Sequence, residues 1–213
     1  GDQTRCWLYQ NLGDGSFTEV GDLVGIQGNL IGRGVAWADY DNDGWLDFAW
    51  LGWDGFRIFR NNRDGTFSDV TGAAGVDPDW GGNGLAWGDY DGDGDLDLYN
   101  TGWWGNTLYR NNSHGNWLTV KLVGQRSNRT AIGAWVSIEA PTGTQFREIS
   151  GGSGYHGQDS LPVEFGLGDS TQPVSIVIHW PRGFQQRLEN VAVNQHLVVE
   201  ESLSLVELPM VLR

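Results

Sequence analysis

Apolar and polar positions in the first half of the chain alternate over short runs, and those runs return at a fixed interval. The triplets Trp7-Leu8-Tyr9, Arg57-Ile58-Phe59 and Thr107-Leu108-Tyr109 each precede an asparagine, at Asn11, Asn61 and Asn111, fifty residues apart. Each asparagine leads into a turn: Gly13-Asp14-Gly15, Arg63-Asp64-Gly65 and Ser113-His114-Gly115. The stretch GVAWADYDNDGWLD, from Gly34 to Asp47, comes back as GLAWGDYDGDGDLD, from Gly84 to Asp97. Such self-similarity marks a repeat architecture. The segments are short, aromatic and β-branched, with Gly, Asp and Asn between them, which predicts strands and hairpins. The middle unit predicts four strands, at Val35–Asp39, Leu46–Gly52, Phe56–Arg60 and Phe67–Val70. Four strands per unit is the build of a propeller blade, but closing a ring takes roughly 4–8 of them. This chain begins in the second half of one unit and leaves the pattern near residue 116. The prediction for 1–116 is therefore incomplete blades and no closed ring. Trp37 matches Trp87, and Trp53 matches Trp103, so these four are expected to pack between sheets.

From Trp117 the pattern changes. TVKLVG, AWVSIEA, QFREIS, VEFGLG, VSIVIHW and HLVVEE are short alternating or apolar runs, separated by turns such as Pro141-Thr142-Gly143. Helical periodicity is absent, and 117–201 reads as an all-β sandwich. Residues 202–213, SLSLVELPMVLR, form an apolar tail beyond the last expected strand.

Charge sharpens this picture. The net charge is −14, and residues 1–116 hold 18 acidic against 6 basic side chains. Phosphate binding needs a basic face, so nucleic acid is excluded as a partner. No apolar run approaches the ~20 residues of a membrane-spanning helix, and no signal-peptide pattern opens the chain. Its start at Gly1 reads as a processed or partial chain. Cys6 is the single cysteine, which leaves no internal disulfide; a small buried hydrophobe, or a link to another chain, are its two readings.

Half of the acidity of the repeats lies in two loops. Asp39, Asp41, Asp43 and Asp47 occupy loop positions 1, 3, 5 and 9, and Asp89, Asp91, Asp93 and Asp97 repeat the spacing. Calcium takes six to eight oxygens at about 2.3–2.6 Å, and alternate residues of a tight loop can turn inward together. Gly44 and Gly94 at position 6 permit the sharp turn, and the backbone carbonyls of Trp45 and Asp95 at position 7 are candidate further ligands. Without a cation such carboxylates raise one another's pKa. An EF-hand is disfavoured, because Trp50 or Asn100 stands at position 12 in place of a bidentate glutamate and the flanks are strand-like. Magnesium keeps more of its own water than these loops would leave it. The expectation is two calcium sites.

With these residues in view, 1–116 resembles the FG-GAP/VCBS repeats of integrin α-like propellers, whose DxDxDGxxD loops bind calcium. The resemblance implies side-chain ligation by Asp39, Asp41, Asp43 and Asp47, and by Asp89, Asp91, Asp93 and Asp97. Residues 117–201 resemble the ASPIC/UnbV module, on Asn116-Trp-Leu-Thr-Val, Ser127-Asn-Arg-Thr-Ala-Ile-Gly, Gly152-Ser-Gly-Tyr, Val163-Glu-Phe-Gly-Leu-Gly, Ile178-His-Trp-Pro-Arg-Gly and Asn194-Gln-His-Leu. The pairing implies a secreted protein at the cell surface or in a matrix.

Catalysis finds little support. Gly151-Gly-Ser153-Gly-Tyr155 fails the nucleophile-elbow pattern at its fifth position. His114, His156, His179 and His196 show no metal-binding spacing. The expectation is a non-catalytic, calcium-binding structural or adhesion protein. Its alternative is a recognition module for protein or glycan within a larger secreted propeller protein. Trp45, Trp50, Trp80 and Trp104 have no tryptophan in the matching repeat position, which makes them candidate contacts for a sugar ring or a protein partner. Asn111 and Asn128 head N-glycosylation triplets. A half repeat at one end and an apolar tail at the other suggest a donor strand, Leu203–Leu212, that joins subunits head to tail into a filament.

Overall fold

The computed structural model describes residues 7–26, 32–53, 55–77, 81–102, 105–140 and 143–202. Among them the chain forms strands and no helix. β1 (Tyr9–Asn11) and β2 (Phe17–Glu19) make a two-stranded antiparallel sheet. β3 (Gly32–Ala38), β4 (Asp47–Gly52), β5 (Gly55–Asn61) and β6 (Phe67–Asp69) follow as a four-stranded meander. β7 (Gly82–Gly88), β8 (Asp97–Gly102) and β9 (Gly105–Tyr109) form a three-stranded one. The period of fifty is thus structural. Trp37 pairs with Phe48 where Trp87 pairs with Leu98, and both first strands carry an irregularity, at Gly32/Gly34 and Gly82/Gly84.

These sheets stack face to face. Ala36, Ala49, Phe56 and Ile58 of the middle sheet bury against Leu85, Trp87 and Leu98 of the next. The Trp87 indole donates to the Ala36 carbonyl at 3.2 Å. On its other face the middle sheet presents Phe48, Trp50 and Phe59, gathered with Ile26, and Phe48 stacks on Phe59 at 4.9 Å between centroids.

This stacking corrects three sequence expectations. Trp50 is only 3% exposed, a core residue rather than a contact for a ligand. Trp37 and Trp53, expected to pack between sheets, are 43% and 49% exposed. For Trp37 the cause is its neighbour. Trp87 packs against the middle sheet, whereas Trp37, on that sheet's other face, meets the Phe48 and Phe67 rings of its own blade. Trp53 lies under the Arg33 guanidinium, 4.5 Å from its ring. Trp103, Trp80, Trp104, Cys6 and the stretch 203–213 lie outside the described residues.

The second half is a sandwich of two sheets. β10 (Asn116–Val123), β13 (Val163–Gly168) and β16 (Gln195–Glu200) form one, in the order β13-β10-β16. β11 (Trp135–Ala140), β12 (Gly143–Glu148), β14 (Val174–His179) and β15 (Gln185–Val191) form the other, in the order β12-β11-β14-β15. Leu118, Val120 and Phe165 of the first sheet meet Ile138, Ile176 and Ile178 of the second, all fully buried. β16 runs parallel to β10, so the last strand returns to lie beside the first.

Glu201 locks that return. Its Oε2 accepts the N–H groups of Gln125, Arg126 and Ser127 at 2.9, 2.7 and 2.7 Å, and its Oε1 accepts the Ser127 hydroxyl at 3.1 Å. Burial opposes ionisation here, but these donors win and hold the carboxyl below its ordinary value. A carboxylate with a lowered folded pKa stabilises fully above its unfolded value, and that contribution is lost as pH falls through the folded one. Glu201→Ala is expected to cost about 2–3 kcal/mol at pH 7, because four donors lose a charged acceptor. The difference from the parent should shrink below about pH 4. Urea melts at the two pH values check both points.

The two halves meet without a linker. β10 begins at Asn116, directly after the third repeat turn. The loop 151–160 lies along the repeats, where Asp159 accepts the Trp87 N–H at 2.8 Å and the Ser160 N–H donates to the Trp87 carbonyl at 3.0 Å. Ser153 belongs to a turn in that loop. Its N–H reaches the Gly157 carbonyl at 3.2 Å, and its hydroxyl accepts the Asp159 N–H at 2.9 Å.

Candidate metal centre

Each acidic loop joins the first two strands of its blade, and a shared hydrogen-bond frame shapes both. Asp39 accepts the N–H groups of Asp43 and Gly44, each at 3.0 Å. Asp89 accepts those of Asp93 at 3.2 Å and Gly94 at 3.0 Å. Asp43 and Asp93 in turn accept from Trp45 and Asp95, at 2.9 and 3.1 Å. Gly44 and Gly94 adopt φ of 94° and 90°, values that a side chain rarely tolerates, which accounts for glycine at position 6.

The last aspartate of each loop is held by the repeat asparagine. Asp47 accepts the Tyr40 N–H at 3.3 Å and the Asn61 N–H at 2.7 Å. Asp97 accepts those of Tyr90 and Asn111 at 3.0 and 2.8 Å. The asparagine side chains reach the carbonyls of Leu46 and Leu96 at 3.1 and 3.0 Å. Asn61 and Asn111 stood out in the sequence as period markers, yet their part in the loop did not. Asn111 also donates to the Tyr40 carbonyl at 2.6 Å, so both its amide hydrogens are engaged within the fold. Asn128 is exposed, with its amide donating to the Ile132 carbonyl at 2.9 Å.

The loops bring carboxylate oxygens together. One from each of Asp39, Asp41 and Asp43 lies within 4.8 Å of the others, and Asp89, Asp91 and Asp97 form the second such trio. Asp47 and Asp93 stand outside these trios. Asp93 pairs instead with Arg110 at 3.3 Å, and Arg110 also meets Asp91 at 2.9 Å. In the first loop Arg63 reaches Asp43 at 2.8 Å and Arg60 lies 3.5 Å from Asp41. Arg60 and Arg110 are fifty residues apart, each directly before a repeat asparagine, and that spacing was the signal available for them. Trp45 is 42% exposed, while the Asp95 side chain is buried and accepts the Asn42 amide at 2.9 Å, tying one loop to the other.

The residues present fit a divalent cation. Asp41 Oδ1 is buried with no hydrogen-bond partner, although it belongs to a group of converging carboxylates. Burial pushes Asp39 up to about 7, with Arg147 opposing and Asp43 and Asp41 adding to the rise. Burial likewise lifts Asp47 to about 8 against the pull of the Asn61 amide. Asp41, Asp95 and Asp97 are raised for the same leading reason. A hard cation bound here would supply the missing positive charge and hold these groups ionised.

Comparison with known proteins agrees with this arrangement. The FG-GAP-like repeat family matches residues 1–50 and 39–100, and the ASPIC and UnbV family matches residues 124–205. Cartilage acidic protein 1 of Xenopus tropicalis is 40% identical over 55 residues, a stretch covering 25% of this chain and 8% of that protein. The chain spans only a small part of that relative. Stacked blades with matching acidic loops, followed at once by a sandwich, are therefore FG-GAP-like repeats joined to an ASPIC/UnbV domain.

Proposed function

We propose that this is a non-catalytic, extracellular, calcium-binding protein with a structural or adhesive role. One observation carries the reading: two acidic loops of matching frame and equivalent repeat position, the first with an orphaned buried carboxylate oxygen. Asp39, Asp41 and Asp43 are the side-chain ligands of the first ion, and Asp89, Asp91 and Asp97 those of the second. Asp47 and Asp93, with the carbonyls of Trp45 and Asp95, complete the two sets. Sites of this kind in extracellular modules bind at about 10⁻⁴–10⁻³ M, which suits the calcium outside cells. The FG-GAP-like repeats and a relative named for cartilage support that location. Calorimetric titration of the chelator-treated protein should find two calcium ions per chain. No calcium heat, together with no retained calcium by mass spectrometry, overturns the reading.

Assembly by strand addition is a second part of the proposal. The middle blade has β6 as its fourth strand, while the last blade ends at β9, because the chain there enters β10 of the sandwich. Among the described residues, the outer edge of β9 is thus without the strand that its counterpart β5 has. An unpaired edge is a template for a strand from another chain. Leu203–Leu212 is the proposed donor, and head-to-tail repetition would build a filament. Electron microscopy should show filaments for the whole chain and none once residues 203–213 are removed. A monodisperse monomer at high concentration refutes this part alone.

A further inference from the structure

The acidic loops are not equivalent in their surroundings, and the difference comes from the sandwich. Asp39 Oδ2, which already accepts the Gly44 N–H, also accepts the N–H of Gly166 in β13 at 3.0 Å, across 127 positions of sequence. The Arg147 guanidinium of β12 lies 3.9 Å from the same oxygen. The Gly168 N–H donates to the Asn42 carbonyl inside the loop at 2.8 Å. A Cβ at Gly166 would run into Asp39 Oδ2 and the Asn42 backbone, so glycine there is a condition of close approach. Arg147 is itself held in place. Its Nε donates to the Glu164 carbonyl at 3.1 Å, and an Nη donates to Gln145 Oε1 at 3.3 Å. Gln145 in turn donates to the Gly166 carbonyl at 2.7 Å.

The second loop has a lighter connection. His196 of β16 lies 3.3 Å from the Gly92 carbonyl and 3.7 Å from Asp89 Oδ2, and Trp117 rests against Gly94. Asp91 and Asp93 remain exposed, whereas Asp39 and Asp43 are buried.

We infer that the first calcium site is a composite of both modules: Gly166 and Arg147 of the sandwich position Asp39, so that loading this site and docking the sandwich are one equilibrium. This rests on the calcium reading above. Neither residue touches the ion; each acts through Asp39, as a positioning residue. The docked sandwich fixes the Asp39 carboxylate and excludes water from its far side, which orients its other oxygen within the trio. Linkage makes the effect reciprocal, so whatever factor docking adds to calcium affinity, calcium adds to docking.

The test uses the whole chain. Hydrogen exchange of the parent is followed at the Gly166 and Gly168 amides, with calcium and then with EGTA. Protection at both should fall at least tenfold on chelation, while amides inside the sandwich such as Ile138 and Ile176 hold theirs. In parallel, Gly166→Val is titrated calorimetrically. One of two calcium sites should weaken at least tenfold while the other is unchanged, and Arg147→Gln should weaken the same site to a lesser degree. Two calcium ions bound with unchanged protection at Gly166 and Gly168 overturn the inference and leave the calcium reading standing. A folded Gly166→Val with two parental affinities does the same. No calcium heat in the parent overturns both. If Gly166→Val fails to fold by near-ultraviolet circular dichroism, the exchange measurement on the parent decides.

Discussion

Treatment with EGTA is expected to lower the melting temperature of this protein by about 10–20 °C at neutral pH. A ligand that binds only the native state adds about 2.7 kcal/mol per site at a hundredfold excess over its dissociation constant. Two sites give about 5 kcal/mol, and each kcal/mol moves the midpoint of a chain of this size by about 2–4 °C. The size of the effect depends on pH, and its sign follows from the carboxylates. In the metal-free fold, burial raises Asp39 from 3.8 to about 7 and Asp47 from 3.8 to about 8. The native state then binds more protons than the unfolded chain between those values, so metal-free stability falls as pH rises from about 4 toward 8. Calcium replaces those protons and removes the penalty. The gap between calcium-loaded and EGTA-treated melts should therefore widen from pH 6 to pH 8. Differential scanning calorimetry in both states measures it. Equal melts with and without EGTA at pH 8 would refute the assignment of these loops to calcium.

Much of this could be read along the chain, and the parts that could not share a physical reason. Repeats, strands and acidic loops are local: each is written in a run of about ten residues, with turn chemistry that has few alternatives. The four-strand middle blade and the loop glycines at position 6 follow from such runs, and the change of pattern at Trp117 falls one residue after β10 begins. What escaped depends on partners far away in sequence. Gly166 and Arg147 serve a loop more than a hundred residues earlier, and no spacing rule points to them. The parallel pairing of β16 with β10 is invisible for the same reason. Exposure of the tryptophans was misread because equivalence between repeats was equated with equivalent surroundings. Trp37 and Trp87 occupy one repeat position, but Trp87 packs against the middle sheet while Trp37 meets Phe48 and Phe67 of its own sheet and stays half exposed. Conversely Trp50, lacking a tryptophan counterpart, looked like a variable surface aromatic, yet it stands in a strand buried along its whole length.

Trp50 carries the second large effect. Its indole sits in β4 between Val35 and Arg57, its register partners, and packs with Ile26, Phe48 and Phe59 in a core that Leu8, Val24 and Phe67 cover in part. Truncation to alanine removes that ring from a cluster whose strands cannot close over the gap. Phe/Trp→Ala changes in cores cost about 3–5 kcal/mol, or about 6–20 °C in a chain this long. Trp45→Ala is the matched control. Trp45 is 42% exposed in the first loop, and its backbone carbonyl, the candidate ligand, survives the change. A surface substitution of this kind stays within about 0.5 kcal/mol. With calcium saturating in both, Trp50→Ala should melt far below the parent and Trp45→Ala with it. The pair also separates structure from recognition. A glycan or protein ligand lost by Trp45→Ala at parental stability would make that exposed face a binding surface, and favour the recognition module over a purely structural subunit. The same loss in Trp50→Ala would carry no such meaning, because a collapsed blade displaces everything on it. A parental melt for Trp50→Ala would instead remove Trp50 from the core and return it to the surface.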